Sequence, residues 1–396
     1  MNRAFAVAMV AACPFPYPRG TPARIYRMAE ALIERGHTVH VVTYHLGEEK
    51  RSIPFPIHRT PVVPTYQKTE PGPSYQKLFL VDPLLAAVLL RVVRTHPVDL
   101  IHAHHYEGLG VSLLVRRFTG LPVVYDAHTL LSSELPYYQL GMTASIKRRL
   151  GMSLDRWLPK QACSIIAVSD EIRTALATCG RQPPPVAFIP NGVEQHFFSR
   201  CETSGIAAAG RNWLIYTGNF AKYQRIDLML ESFKMVVATH PDARLLIVAN
   251  EPFEPLIALA EQLGIMPYLE LVQADFDHLP ELLSRARIAL NPRTDCDGLP
   301  QKLLNYMAAG KAIVSFSGSA KNLDHAKTAL IVENGDVAGF ARAIVTLLEN
   351  TDLAAQLGAA AQATARIEFT WKRTAEKVEQ VYAQVLSGRG AKYADV

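Results

Sequence analysis

The stretch NPRTDCDGLPQKLLNYMAAG, residues 291–310, is the strongest indication of fold in this chain. It follows an apolar strand pattern at 288–290 and passes through an acidic turn, Asp297-Gly298-Leu299-Pro300. A helix pattern begins at Gln301, and the free N–H groups and dipole of a helix N-terminus attract anions. Lys302 places a cation in the first turn, where cations are normally disfavoured, which indicates an anionic partner.

Outward from this stretch, strand and helix patterns alternate along the whole chain, which predicts parallel α/β sheets. The alternation is interrupted at 199–211, a polar, glycine-bearing segment that we interpret as a linker. The sequence therefore predicts two doubly wound, Rossmann-like domains, one over 1–198 and one over 199–370, with a last helix after residue 371. The proline-rich segment 53–73 is predicted to be a loop. In such sheets ligands bind outside the carboxyl ends of the strands.

Composition limits the class of protein. The chain has 396 residues, enough for about two domains, and 49% of them are hydrophobic, which is typical of a globular protein. The net charge of +5 fits an anionic small molecule or an anionic membrane surface. No nucleic-acid-binding signature is present, so no nucleic-acid partner is expected. Five scattered cysteines without a C-x-x-C pair are typical of reduced cytoplasmic thiols.

The segment AFAVAMVAAC, residues 4–13, has two interpretations. It could be a short signal peptide, or it could be the buried first strand of a parallel sheet. A loop at 14–20, a helix pattern at 22–36 and a strand pattern at 37–44 follow it, which favours the strand and leaves nothing to cleave. No uncharged run reaches the ~18 residues of a membrane span. A cytoplasmic protein is therefore expected, with the inner face of the membrane as a further location.

The motif around residue 305 resembles the signature of the retaining, nucleotide-sugar-dependent GT-B glycosyltransferases, often called glycosyl transferase group 1. That family places two glutamates eight positions apart before Met-Ala-x-Gly; here the positions are Asp297 and Asn305, followed by Met307-Ala308-Ala309-Gly310. Further blocks in the family's order are RGHTVHVVTY (35–44), DLIHAH (99–104), VYDAHT (124–129), AVSDEIR (167–173), IPNGVEQHFF (189–198), YTGNF (216–220), VENGDVAGFARAI (332–344) and FTWKRTAEKVEQVY (369–382).

This resemblance implies two Rossmann-like domains facing across a cleft, with the terminal segment 371–396 crossing back onto the first domain. It also implies an activity. A hexose-type sugar would pass, with retention, from a nucleoside diphosphate sugar to an acceptor hydroxyl. The acceptor would be a glycan or a lipid-linked molecule of cell-envelope polysaccharide or glycolipid assembly. No metal or other cofactor is expected.

The resemblance also assigns candidate residues. His128 and Asp297 would be catalytic, His128 by contact with the transferred sugar. The family's phosphate-binding arginine and lysine are replaced by Asn219 and Gln224, so other cations must supply the charge, with Arg293 and Lys302 as the better candidates. The donor-binding set is Gly20, Gly218, Asn219, Lys222, Gln224, Arg225, Phe276, Arg293, Gly298, Leu299, Pro300, Gln301, Lys302 and Asn305. The acceptor-binding set is Arg19, His104, Tyr106 and Glu107.

Two groups of residues could be mistaken for metal sites. His102, His104 and His105 are close in sequence, but on a strand His105 takes the opposite face, so acceptor-site or packing roles are favoured over a metal. The two D-x-D motifs, at 275–277 and 295–297, match a pattern that is frequent by chance. Glu107 and Glu134 are predicted to be the only carboxylates near the strand ends of the first domain that could touch an acceptor.

Alternatives remain at two points. The four changed motif positions, Asn219, Gln224, Asp297 and Asn305, would also fit a non-catalytic GT-B protein that binds a partner or a sugar nucleotide, and a sugar-nucleotide epimerase is a third reading. The segment 144–160 is a basic amphipathic helix pattern, whose apolar face either packs on the first domain or docks on an anionic membrane. That face holds Ile146, Leu150, Leu154, Trp157 and Leu158.

Overall fold

The computed structural model of the chain describes residues 3–17, 20–47, 53–69, 74–137, 141–178, 183–203, 212–296 and 298–392. The chain divides into two compact units. The first is Met1–Asn191 together with Trp371–Val396, and the second is Gly192–Thr370. Each unit is built around one parallel sheet with helices on its faces.

The first unit contains a seven-stranded parallel sheet. Its central strands are buried along their length, as the continuous apolar runs predict. The strands are β1 (Ala6–Ala11), β2 (Thr38–Thr43), β3 (Ile57–Arg59), β4 (Leu100–His104), β5 (Val123–Ala127), β6 (Ser164–Ala167) and β7 (Val186–Phe188). Their spatial order is β3-β2-β1-β4-β5-β6-β7.

Seven α-helices of the first unit cover this sheet in the described part of the chain. They are α1 (Gly20–Glu34), α2 (Asp82–Thr95), α3 (His105–Thr119), α4 (Leu131–Glu134), α5 (Ala144–Trp157), α6 (Asp170–Ala177) and the terminal α14 (Trp371–Lys392). A π-helical turn, Lys77–Val81, leads into α2. The terminal helix packs on α1, where Ile25, Met28, Val378 and Tyr382 share one buried cluster.

The second unit contains a six-stranded parallel sheet in the order β10-β9-β8-β11-β12-β13. These strands are β8 (Trp213–Thr217), β9 (Arg244–Ala249), β10 (Leu269–Gln273), β11 (Ile288–Asn291), β12 (Ala312–Phe316) and β13 (Leu330–Val332). Its helices are α7 (Gln195–Thr203), α8 (Ile226–Thr239), α9 (Glu254–Leu263), α10 (Leu279–Ser284), α11 (Gln301–Ala308), α12 (Val337–Glu349) and α13 (Thr351–Glu368). In the described ranges of both units, every helix falls short of the length and apolar character that crossing a bilayer demands.

Both sheets have a topological switch point, where the strand order reverses. It lies between β1 and β4 in the first unit and between β8 and β11 in the second. The crevice outside the carboxyl ends of two such strands is the usual ligand position in open α/β sheets. A ligand is therefore expected near the loops that follow His104, Thr217 and Asn291, the last residues of β4, β8 and β11.

The division between the units falls at Asn191 and Gly192, earlier than the residue 198 expected from sequence. The reason is that Val193, Phe197 and Phe198 are buried in the core of the second unit. The predicted linker at 199–211 is also shorter than expected. Its first residues complete α7, and 204–211 lie outside the described residues.

The sequence did not predict the strand β3 or the helices α4, α7 and α13. β3 forms inside the proline-rich segment that was predicted to be a loop, pairing with β2 as a short edge strand. Helix α13 has a buried face made largely of small residues, among them Ala354, Ala361 and Ala365. Alanines also occupy other positions of this helix, so its buried and exposed faces differ little in hydrophobicity. The 3.6-residue spacing that reveals a helix is therefore hard to detect.

Candidate active site

A buried ion pair lies near the carboxyl ends of the central strands of the first unit. Arg24 of α1 and Asp126 of β5 approach to 3.0 Å, with side chains 1% and 0% exposed. The Arg24 guanidinium also donates to the side chain of Asn191 at 2.9 Å and to the carbonyl of Ile189 at 3.0 Å. Burial of two charges is costly unless the remaining donors are also satisfied. These contacts meet that condition and fix α1 against the sheet.

Three histidines surround the Asp126 carboxylate. His102 Nε2, His104 Nδ1 and His128 Nε2 lie 3.5, 3.6 and 3.6 Å from its oxygens. Burial disfavours the charged carboxylate, but Arg24 and then His128 outweigh burial and hold the pKa of Asp126 well below its usual range. Burial lowers the pKa of His128 to about 3, against the attraction of Asp126. Near neutral pH, Asp126 is therefore ionised and His128 is neutral.

His128, the predicted sugar-contacting residue, follows directly after β5. Its Nδ1 lies 3.2 Å from Thr21 Oγ1, and its Nε2 lies 3.3 Å from His104 Nδ1. The ring of His105 stacks on it with centroids 5.6 Å apart. His105 has a φ of 65°, which is uncommon for a residue other than glycine. The imidazole of His128 is thus a neutral hydrogen-bonding group whose orientation is set by its neighbours.

A cavity of about 170 Å³ lies beside this cluster. Its polar lining includes Lys77 and Glu107, whose Nζ and Oε1 are 2.7 Å apart, and Glu107 Oε2 is 3.5 Å from His105 Nδ1. Although burial opposes ionisation, Lys77 and His105 hold the pKa of Glu107 well below its usual range. The lining also includes Gly20, Thr21 and His104. Such a mixture of charged and hydroxyl groups suits a ligand with several hydroxyls.

Only some of the predicted acceptor residues line this cavity. His104 and Glu107 line the cavity, as does Gly20 from the donor set. Tyr106 is not brought there, because it is buried and its hydroxyl donates to the Asp155 carboxylate. Arg19 lies outside the described residues.

Sequence analysis missed Arg24, Lys77 and Asp126. Asp126 is a further carboxylate near these strand ends, but it is fully buried within the histidine cluster and does not line the cavity. A signal was available in the block VYDAHT, where a carboxylate interrupts an apolar strand. A charged residue at such a position is almost never fully buried unless it is paired.

His102, His104 and Asp126 offer ligand atoms within 4.8 Å of one another, a geometry that could hold a metal ion. Arg24 already supplies a positive charge to Asp126 at 3.0 Å. His102 is fully buried, and its Nδ1 is 2.6 Å from the hydroxyl of Tyr382. The cation in this cluster is therefore a guanidinium, and His102 joins α14 to the sheet.

In the second unit, Lys302 of α11 is half-buried at the switch point. Its Nζ donates to Gln224 Oε1 at 2.9 Å and lies 4.1 Å from the centroid of the Tyr216 ring. Gly218, which follows β8, has a φ of 138°, and a Cβ there would come within 2.9 Å of Lys302 Nζ. Burial, followed by repulsion from Arg293, lowers the pKa of Lys302 to about 7. The positive φ is what requires glycine here, because the end of the flexible Lys302 side chain could move away from a Cβ.

Arg293 stands in the loop after β11, over the ring of Tyr223 with 4.7 Å from Cζ to the centroid. Asn219 Nδ2 donates to the Tyr223 hydroxyl at 3.1 Å, so both belong to the same surface. Arg225 differs from Arg293, because it forms an ion pair with Asp227 at 2.8 Å. Among the predicted replacement cations, Arg225 is therefore already neutralised.

The start of α11 follows the loop 298–300, whose residues belong to the predicted donor-binding set. Asn305 is buried, and its Oδ1 accepts a bond from Gln301 Nε2 at 3.4 Å. Gln301 Nε2 also donates to the carbonyl of Gly192 at 3.1 Å. Asn305 therefore takes part in an internal hydrogen-bond chain. Asp297, the other altered motif position, lies outside the described residues.

Two further residues of the donor set lie on loops of the second unit. Lys222 is exposed at the start of a short 3-10 turn. Phe276 is 39% exposed and its ring packs 5.3 Å from that of Phe197. Phe276, a member of the predicted donor-binding set, therefore offers a partly exposed aromatic face on this unit.

Two family models match this chain. The model of Glycosyltransferase Family 4 matches residues 18–197, and the model of Glycosyl transferases group 1 matches residues 211–350. The two matches thus fall almost entirely in the first and the second unit, respectively.

Individual proteins are similar over nearly the full length. N-acetyl-alpha-D-glucosaminyl L-malate synthase of Bacillus anthracis is 23% identical over 91% of this chain and 92% of its own. Phosphatidyl-myo-inositol mannosyltransferase of Mycobacterium tuberculosis is 23% identical over 98% of both chains. The Anabaena protein Alr3699/HepE, solved in complex with UDP, aligns with a TM-score of 0.73 at 18% identity, over 96% of this chain and 100% of its own. The chain belongs to the GT-B glycosyltransferases of glycosyl transferase group 1.

Proposed function

We propose that this glycosyltransferase moves a hexose-type sugar, with retention, from a nucleoside diphosphate sugar to an acceptor hydroxyl. The observation that carries the donor class is the pair of cations, Lys302 and Arg293, at the switch point of the second unit. Among the described residues neither has a carboxylate partner, and burial with mutual repulsion lowers the pKa of Lys302 to about 7. A diphosphate would relieve that repulsion by charge-assisted hydrogen bonds.

The same two cations would stabilise the leaving group. Negative charge develops on the diphosphate as the glycosidic bond breaks, and fixed donors aimed at such charge are usually the largest catalytic contribution. The N–H groups at the start of α11 would add to this effect. In this proposal Asp297 binds donor-sugar hydroxyls, and no metal ion is needed.

The first unit would hold the groups that position the sugar and acceptor. His128 would donate or accept a hydrogen bond as a neutral imidazole, because its pKa is about 3. The ionised Asp126 and Arg24 would fix the histidines around it. Glu107, ionised beside Lys77, would accept hydrogen bonds from an acceptor in the adjacent cavity. The retaining outcome rests on the family resemblance.

The relatives support a role in the cell envelope. The tuberculosis relative is named for mannosyl transfer to phosphatidyl-myo-inositol, a lipid, and the anthracis relative for transfer of an N-acetylglucosaminyl group to malate. The Anabaena structure contains UDP. We propose a nucleotide sugar as donor and a glycan or lipid-linked molecule as acceptor, with the enzyme working at the inner face of the membrane.

A turnover panel tests the proposal. The purified protein is incubated with UDP-glucose, UDP-N-acetylglucosamine or GDP-mannose in the presence of EDTA, and release of the nucleoside diphosphate is followed. We expect slow hydrolysis of one donor, abolished in Asp297→Ala and lowered about 100-fold in His128→Ala. The anomeric configuration of the product by NMR tests retention.

Three other outcomes would overturn parts of this proposal. Tight binding of a sugar nucleotide without any turnover, with acceptors present, would favour a non-catalytic GT-B protein. Failure to bind any donor or free diphosphate would remove the donor assignment altogether. Turnover that EDTA abolishes and Mg²⁺ restores would contradict the metal-independent proposal.

The way helix α5 packs on the first unit bears on membrane binding. The face that it turns toward the protein carries Lys147, Gly151 and Asp155, rather than its apolar residues. A Cβ on Gly151 would lie 2.6 Å from Ser132, so the helix approaches α4 closely there. Asp155 accepts hydrogen bonds from the N–H groups of Leu131 and Ser132 at 2.9 and 3.0 Å. Of the two alternatives for the apolar face, these polar contacts favour docking over packing as the role of most of that face.

The apolar face of α5 is largely left in contact with solvent. Ile146, Leu150 and Trp157 are 53%, 42% and 60% exposed. Exposed basic residues flank them: Arg148, Arg149, Arg156 and Lys160. An apolar stripe between cations is the pattern of a helix that lies in an anionic membrane surface. We propose that α5 docks the enzyme on such a surface, close to a lipid-linked acceptor.

Co-sedimentation with phosphatidylglycerol-containing vesicles tests this docking. The wild-type protein should sediment with the vesicles at low salt and much less at high salt. Ile146→Ser combined with Trp157→Ser should abolish sedimentation. The control is Ile367→Ser, which changes an isoleucine that is 66% exposed on α13 of the second unit. Equal sedimentation of the variant and control proteins would contradict the assignment to α5.

A further inference from the structure

A second histidine cluster lies in the first unit, among residues that do not line the cavity. His40 is near the amino end of β2, His58 is in the edge strand β3, and His96 follows the last residue of α2. Three elements that are separate in sequence thus each contribute one imidazole. Neither the proposed transfer reaction nor the motifs of the sequence explain this convergence.

The geometry of the cluster fits a metal ion. His40 Nδ1 and His58 Nε2 are 3.1 Å apart, and one ring nitrogen from each of the three residues lies within 4.8 Å of the others. Zinc–nitrogen bonds of about 2.0–2.1 Å in a tetrahedral site separate ligand atoms by about 3.4 Å. Only a small movement of the third imidazole would be needed to reach that spacing. The rings of His40 and His96 are already 4.5 Å apart, centroid to centroid.

The lone pairs needed for metal binding are available. His96 Nδ1 lies 3.3 Å from the carbonyl of Val92 and 2.8 Å from Thr95 Oγ1. A carbonyl can only accept, so Nδ1 carries the hydrogen and the lone pair of His96 is on Nε2. Hydrogen bonding of the other ring nitrogen to a carbonyl is a common arrangement for a metal-ligating histidine. Burial, and then the neighbouring histidines, lower the pKa of His40 and His58, so both are neutral at pH 7.

We propose that His40, His58 and His96 form a binding site for a divalent transition-metal ion, with zinc as the ion of choice and the fourth position open to water. Neutral imidazoles favour zinc, copper and nickel over magnesium or calcium. The bound ion would join β3, a strand of three residues at the edge of the sheet, to β2 and to the end of α2. Its role would be structural, distinct from transfer, which needs no metal in the proposed mechanism.

One nearby charge opposes the ion. Arg91 is close enough to lower the pKa of His58. It is exposed, however, so solvent and salt screen its repulsion. Zinc binding should therefore strengthen modestly as ionic strength rises from 20 to about 200 mM, unlike binding at an acidic site.

Calorimetry and thermal unfolding of the full chain test the site. Protein freed of metal with EDTA is titrated with zinc chloride. We expect one ion bound per chain and a melting temperature raised by about 5–10 °C when zinc exceeds its Kd a hundred-fold. His58→Gln and His96→Gln should each weaken binding by at least about ten-fold. Their melting temperatures in EDTA show whether the variants are folded.

The matched control is His278→Gln, which changes an exposed histidine of the second unit and should leave zinc affinity unchanged. Zinc binding that persists undiminished in both cluster variants would overturn the proposal and point to His102, His104 and Asp126 instead. An absence of zinc binding or of any thermal shift in the wild-type protein would show that the three rings only pack together.

Discussion

The two units handle charge in opposite ways. In the first unit, Arg24 and Asp126 are fully buried but neutralise each other at 3.0 Å. In the second unit, the half-buried Lys302 lies against the Tyr216 ring and Gln224, and Arg293 repels its charge. Charges that neutralise each other inside the protein, as Arg24 and Asp126 do, form a rigid scaffold that suits a neutral ligand. We propose that the cations of the second unit, which have no carboxylate partner among the described residues, are neutralised by an anionic ligand.

The largest expected effect is the difference in folding stability between two variants, each of which removes one cation from one unit. Arg24→Met leaves the Asp126 carboxylate buried without its partner, which should lower the free energy of unfolding by about 3–5 kcal/mol. Lys302→Met should leave it unchanged or raise it at pH 8. The reason is that burial lowers the pKa of Lys302 to about 7, below that of the unfolded chain. This lysine therefore destabilises the folded state fully below pH 7, and progressively less as the pH rises towards the pKa of the unfolded chain.

Urea unfolding followed by tryptophan fluorescence measures this contrast. Two of the three tryptophans, Trp157 and Trp371, are in the first unit. Equal losses of stability in the two variants would mean that Lys302 is compensated as well as Arg24 is.

The second prediction concerns the rate of transfer. His128→Ala should lower kcat by about 100-fold, because a fixed hydrogen-bonding group at the reacting sugar is lost. The affinity for the donor should change by less than about two-fold, since the phosphate cations lie in the second unit. Thr21→Val removes only the hydroxyl 3.2 Å from His128 Nδ1 and should lower kcat less. A large rise in KM with an unchanged kcat in His128→Ala would contradict this role.

The third prediction sharpens the difference between paired and unpaired arginines. Arg293→Ala should weaken binding of the sugar nucleotide by about ten-fold or more, because a charge-assisted contact to phosphate is lost. Arg225→Ala is the matched control, since that guanidinium is engaged with Asp227 at 2.8 Å. Its donor affinity should stay within about two-fold of wild type. Fluorescence titration of both variants would decide, and a larger effect in Arg225→Ala would reverse the assignment.

The smallest predicted effect is a pH dependence. Lys302 is charged below its pKa of about 7 and neutral above it, so donor affinity should fall as pH rises from 6 to 8.5. The decline cannot exceed about ten-fold per pH unit for one proton. A sugar nucleotide suits the measurement because its diphosphate keeps a constant charge over this range. Lys302→Met should bind more weakly, with a flat profile; an unchanged slope in this variant would assign the titration to another group.

The fold could be predicted because its signals are local. Short apolar runs that alternate with helix patterns predict nearly every strand of both sheets, as at Ala6–Ala11 and Ile288–Asn291. The terminal α14 belongs to the first unit by contact, an arrangement that only the family resemblance suggested. β3 and α13 were missed, because a three-residue edge strand and an alanine-rich buried face carry little pattern.

Fewer residues of the site than of the fold could be predicted from the sequence. His104, Glu107 and Lys302 could be proposed from motifs and strand ends. Arg24 and Asp126 are 102 positions apart in sequence, and only the folded sheet brings them together. The same is true of Lys77 and Glu107, which come from different helical segments. Pairing across such separations leaves no spacing that a single sequence could reveal.

The most direct test of the central claim is a calorimetric titration with UDP-glucose, UDP-N-acetylglucosamine and GDP-mannose in EDTA, using wild-type protein and Lys302→Met. The account predicts that one donor binds to the wild-type protein without metal and that the variant loses at least about ten-fold in affinity. Donor binding of equal strength in both proteins would contradict it, because the half-buried ammonium would then have no anionic ligand to bind.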